Sequence, residues 1–238
     1  IARRQRQMCI RDRNSRALFK EIANSDWVNP GIDPKYEDFF LADLVSEYDA
    51  INLYHYLYPR RSEFSPYFVQ YLDLWFLDEK NHADGFIELN RLIFNTDEET
   101  LLDNLKSRNS DFKPFEEILS NELSLLTVFA YDEYISVKTY KKDTFYNQFG
   151  HSGFDTWICN LIADEATHFA NAIKLLRNNH SSCLELIEKN LTRIIQLEST
   201  PYRNTFLLDH DGPHFLLGNS DYAEAAASEI LDILTRDK

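Results

Sequence analysis

Two short strings in this chain carry residues suited to metal chemistry: Asp78-Glu79-Lys80-Asn81-His82 and Asp164-Glu165-Ala166-Thr167-His168. A Glu and a His three positions apart stand on one face of a helix, so both can reach the same ion. Carboxylate and imidazole together suit first-row divalent metals such as iron and manganese. With seven histidines in 238 residues, an Asp-Glu-x-x-His string is expected by chance about 0.05 times. It occurs twice. Each string is also preceded by a lone glutamate at the same interval, since Glu79 follows Glu47 by 32 residues and Glu165 follows Glu133 by 32.

All four glutamates stand where an apolar residue belongs. Glu47 lies among Phe40, Leu44, Ile51 and Tyr54, and Glu79 among Leu72, Trp75, Phe76 and Phe86. Glu133 lies among Leu126, Phe129, Ala130, Val137 and Tyr140, and Glu165 among Ile158, Leu161, Ile162, Phe169 and Ala172. These neighbours fall at helical spacing, so each glutamate faces a core. Burying an unpaired carboxylate costs several kcal/mol even after relaxation, and too few Lys or Arg share these stripes to compensate. Two divalent cations cancel the four charges. The expected ligands are Glu47, Glu79, His82, Glu133, Glu165 and His168. Asp78 and Asp164 are placed to hold the second ring nitrogen of a ligand histidine.

The elements that must position these groups are helices. Only six Gly and seven Pro punctuate the chain, and the segments between them have helical period. Helices are expected at 14–24, 34–57, 66–94, from 97 as a short connector, at 113–148, 154–178, 182–197 and 222–235, with an irregular loop at 200–219. The expected fold is all-α: a four-helix bundle of two antiparallel hairpins, with additional N- and C-terminal helices. Its core spans 34–180, within a single domain at 14–238 whose C-terminal helices and loop occupy 181–238. The basic stretch 1–13 resembles translated sequencing-adapter sequence, or else is a disordered arm, and is set aside.

Composition narrows the function classes. A formal net charge of −14 repels nucleic-acid backbones and anionic membrane surfaces, so neither is expected as a partner. Charged residues interrupt every apolar run before membrane-spanning length. Cys9, Cys159 and Cys183 have no metal-ligand spacing and suit a reducing cytoplasm; Cys159 is expected to pack rather than react. His210, Asp211 and His214 are read as part of the loop, not as a second site.

The order Glu, Asp-Glu-x-x-His, Glu, Asp-Glu-x-x-His resembles the soluble non-haem di-iron oxygenases and desaturases of the ferritin-like superfamily. The resemblance covers about residues 34–180. It implies that Glu47 and His82 hold one iron, Glu133 and His168 the other, and that Glu79 and Glu165 bridge them. Manganese in place of iron is compatible with the ligand types. It further implies an enzyme that activates O2 and oxidises a C–H or N–H bond of a small organic or acyl substrate. Two external electrons would come from a donor protein, a ferredoxin or a reductase. A homodimer is left open. Ser136, one turn after Glu133, matches a hydroxyl that such enzymes place on the oxygen side. Leu161 stands where arylamine N-oxygenases carry an extra histidine, and Phe86 where ribonucleotide reductase radical subunits carry a tyrosine. The rival is a ferritin- or rubrerythrin-like protein that turns over Fe2+ or peroxide; the chain's extra helices and long loop argue for a substrate pocket instead.

Overall fold

The computed structural model describes residues 14–142, 145–198 and 221–236, and the regular structure of these residues is all helical, with no strand among them. Helix α1 (Ser15–Ala23) starts at Asn14, whose side chain accepts from the Ala17 N–H at 2.8 Å. Helix α2 (Glu37–Leu57) follows a single 3-10 turn that opens at Pro34. Helix α3 (Pro66–Phe94) has Pro at its first position, where no N–H is needed, and Ser65 as its cap. It ends on Asn95 in the left-handed region, φ 56°, a conformation that Asn tolerates. Helix α4 (Glu98–Ser107) is capped by Asp97. Helices α5 (Glu122–Lys142), α6 (Ser152–His180), α7 (Leu184–Glu198) and α8 (Asp221–Thr235) complete the order.

One expectation fails here. The helix read from 113 to 148 is three pieces. Lys113–Phe115 is a lone 3-10 turn, α5 begins only at Glu122, and Phe145–Gln148 is another 3-10 turn. At the first break Asn121 accepts from the Ser124 N–H at 3.0 Å, so a capping side chain captures the backbone that a continuous helix would use. The other helices agree with the sequence to within about a turn. The stretches 1–13 and 200–219, with His210, Asp211 and His214, lie outside the described residues.

The long helices pair as α2 with α3 and α5 with α6, and α3 also packs on α6. Helix α1 lies across α3 and α6. Its Arg16 is held by Asp84 at 3.0 Å, Glu88 at 2.9 Å and Glu98 at 3.0 Å. Close approach of α3 to α6 needs Gly85, because a Cβ there would fall 2.4 Å from Trp157 Nε1 and 3.0 Å from Ser15 Oγ.

The buried apolar residues form two separate clusters stacked along the bundle. Helix α2 belongs to one cluster up to Leu44 and to the other from Ala50; α3 changes over between Trp75 and Ala83, α5 between Ile135 and Tyr140, and α6 between Leu161 and Ala172. Each helix therefore crosses the same level, and the polar residues of interest sit at or beside that crossing. Among the described residues no helix is long and apolar enough to cross a membrane.

Candidate metal centre

Glu47 from α2, Glu79 and His82 from α3, Glu133 from α5, and Glu165 and His168 from α6 converge between the two apolar clusters. All six are 1–5% exposed. They form two donor sets, Glu47/Glu79/His82/Glu165 and Glu79/Glu133/Glu165/His168; within each set one oxygen or nitrogen per residue lies within 4.8 Å of all the others. Glu79 and Glu165 belong to both sets.

The imidazoles face the carboxylates with one nitrogen each. His82 Nδ1 is 3.3 Å from Glu47 and from Glu165 and 3.9 Å from Glu79. His168 Nδ1 is 3.2 Å from Glu79 and Glu165 and 3.3 Å from Glu133. The opposite nitrogens turn outward to the two aspartates, and the pairing is crossed. Asp78 stands 3.1 Å from His168 Nε2, and Asp164 stands 3.5 Å from His82 Nε2. Each aspartate thus serves the histidine of the other string, from the neighbouring helix, because α3 and α6 lie side by side.

Two of the glutamates receive a further donor. Trp75 Nε1 donates to Glu133 Oε1 at 2.6 Å, and the Tyr140 hydroxyl donates to Glu47 Oε1 at 2.5 Å. Sequence reasoning counted both only as apolar neighbours; their positions on the glutamate stripes were the available signal, since Trp and Tyr bury a polar tip with their rings. Tyr71, one turn before Trp75, is a third group it missed. Its hydroxyl is buried with no hydrogen-bond partner among the described residues. Burial, then the Glu133 charge, pushes that phenol well up.

Charge crowding shows in the titration of the groups. Burial, then the Glu165 charge, pushes Glu79 and Glu133 far above the usual carboxylate range. Burial also works to raise Glu165, but the His82 charge and hydrogen bonds from both histidines hold it well below. For the histidines burial acts to lower the pKa and is outweighed: Glu165 and Asp164 raise His82, Glu133 and Asp78 raise His168.

The donor sets have the chemistry of a cation site. Glu47 Oε2, Glu79 Oε1 and His82 Nδ1 are buried without an aligned hydrogen-bond partner. Orphans of this kind are rare in a folded interior unless an ion or water satisfies them. All three belong to the inward-facing donor sets, so these buried Glu/His groups could hold a metal ion.

Two spaces adjoin the centre. Ser136 lines a small cavity, about 20 Å³, together with Glu47, Glu79, Glu133 and Glu165. On the opposite side, between α3 and α6, lies an open groove of about 840 Å³ whose floor includes Tyr71, Trp75 and His168. Tyr131 points away from the centre to Glu198, and Tyr134 packs on Phe169. Cys159, expected to pack, is exposed: Trp157 and Ile158 take the inward positions of that turn.

Comparison of the chain with protein-family models, with curated proteins and with solved structures finds no match, so the assignment of this centre stands on its residues and geometry.

Proposed function

We propose that the chain is a ferritin-like protein holding two iron ions in this centre, and that it is an O2-activating oxidoreductase of the oxygenase or desaturase type. The observation that carries the reading is the pair of donor sets sharing Glu79 and Glu165. Glu47 and His82 would be the remaining ligands of one iron and Glu133 and His168 those of the other, with Glu79 and Glu165 bridging; manganese at one or both positions suits the same ligands. When bound, the metals supply two-electron reduction of O2 for oxidation of a C–H or N–H bond. External electrons are needed, and a ferredoxin or reductase is the donor class.

The chain's own residues prepare the site. Asp78 holds the ring of His168 through a hydrogen bond at 3.1 Å, and Asp164, 3.5 Å from His82 Nε2, is placed to do the same for His82, which keeps the inward nitrogens available for metal. The Trp75 and Tyr140 bonds leave one oxygen of Glu133 and one of Glu47 for the metals. The apolar clusters above and below leave the six inward side chains only 1–5% exposed. The small cavity with Ser136 in its wall has room for a diatomic molecule or one water.

The alternative is an iron-handling or peroxide-reducing protein. The small size of the cavity on the carboxylate side favours it, while the groove behind His168, within the range of organic-ligand pockets, favours the oxygenase. Oxygen consumption by iron-loaded protein with an external reductant tests the reading. Glu79→Ala and His168→Ala are expected to abolish it while the far-ultraviolet circular dichroism stays helical. Normal oxygen uptake in either folded variant contradicts the assignment. Consumption coupled only to Fe2+ oxidation, with no dependence on reductant, selects the iron-handling alternative.

A further inference from the structure

The groove between α3 and α6 has an uneven charge. Three carboxylates line it, Asp78, Asp84 and Asp164, and each already faces a cationic or imidazole partner: His168 at 3.1 Å, Arg16 at 3.0 Å and His82 at 3.5 Å. All three lie toward the end where α1 begins, where Asn14 and one lysine, Lys80, also line the groove. The far end holds no carboxylate. There Lys174 stands with Gln70 and Asn178, and Lys174 makes no ion pair among the described residues. Leu74 and Trp75 lie between the two ends, and Leu175 and the ring of Tyr67, which is 67% exposed, add apolar surface at the lysine end.

We infer that this groove binds an amphipathic anion, a small carboxylic acid with an alkyl or aryl body, whose head group lies at Lys174 and whose body runs along Leu74 toward Trp75 and His168. A free cation in a protein of net charge −14 sets a local sign opposite to the whole. The amides of Gln70 and Asn178 can donate to the same carboxylate. A volume of about 840 Å³ accommodates such a ligand. Lys80 at the other end stands among three aspartates, which disfavour a carboxylate there, so the ligand's head group is set at Lys174. That the bound acid is also the molecule oxidised rests on the reading of the centre given above; the binding itself does not.

The test uses calorimetric titration of the full chain, without turnover, with dodecanoate, dodecanol and dodecylammonium below their aggregation concentrations. Dodecanoate is expected to bind about tenfold more tightly than dodecanol, as one or two exposed ionic contacts allow, and dodecylammonium more weakly than either. Lys174→Glu is expected to remove that preference. Lys189→Glu, the same change in net charge on the exposed face of α7, is expected to preserve it. Equal affinity for the three probes, loss of the preference in Lys189→Glu as well, or no binding of dodecanoate overturns the proposal. Because no metal chemistry is read, these outcomes are independent of whether the centre consumes oxygen.

Discussion

His82 and His168 each have one nitrogen toward the glutamates and the other toward an aspartate from the opposite string. Such partners raise ligand basicity and fix the tautomer, and their removal typically costs 10–100-fold in metal affinity. The crossed arrangement makes the prediction specific. Asp78→Ala, on α3, should weaken the metal held with His168 and Glu133 by about 10–100-fold and leave its neighbour nearly unchanged; Asp164→Ala should do the reverse. Titration of the metal-free protein with Co2+, followed by the visible bands of the bound ion, reads the two sites separately. Weakening of the site in the variant's own string, or equal weakening of both, would contradict the crossed pairing. That crossing was not legible in the sequence. Spacing placed both aspartates behind a histidine, but which histidine depends on how α3 and α6 are set side by side. The burial and convergence of the four glutamates were legible, because a charged residue on an apolar stripe is costly wherever it is buried.

At the scale of elements, the placement of α1, α3 and α6 depends on Gly85 and Trp157. A methyl group at Gly85 would meet the indole at 2.4–2.8 Å, and Trp157 is 2% exposed and packed against Phe19 and Phe86. Gly85→Ala gains helix propensity of about 1 kcal/mol but forces a rigid, buried ring to move, and overpacking of this kind costs about 1–3 kcal/mol. A net loss of stability is expected, read as a lower denaturation midpoint in urea at unchanged slope. A stabilised variant would show that the ring yields freely. The helices were legible from Pro and Asx punctuation and from period. The segment 113–148 reads as one helix because apolar residues at helical spacing persist through 115–119, with Phe115, Ile118 and Leu119 all buried, although α5 begins only at Glu122. Burial follows from apolar spacing; helix does not, and the Asn121 cap was the signal that the helix restarts.

The whole molecule is a helical stack with two apolar cores and a belt of carboxylates and imidazoles between them. On the proposed reading its stability and its chemistry would depend on the same ions, since four buried carboxylates against two histidines leave the belt poorly compensated, whereas two divalent cations would neutralise the glutamates. The most direct measurement is elemental analysis of protein reconstituted with excess Fe2+ under anaerobic conditions and then desalted, expressed as iron per chain. About two irons per chain are expected, as neutralising four carboxylates requires. Near-zero metal in a folded, helical sample would contradict a di-iron centre, because the convergence of Glu47, Glu79, Glu133 and Glu165 would then be held by protons alone.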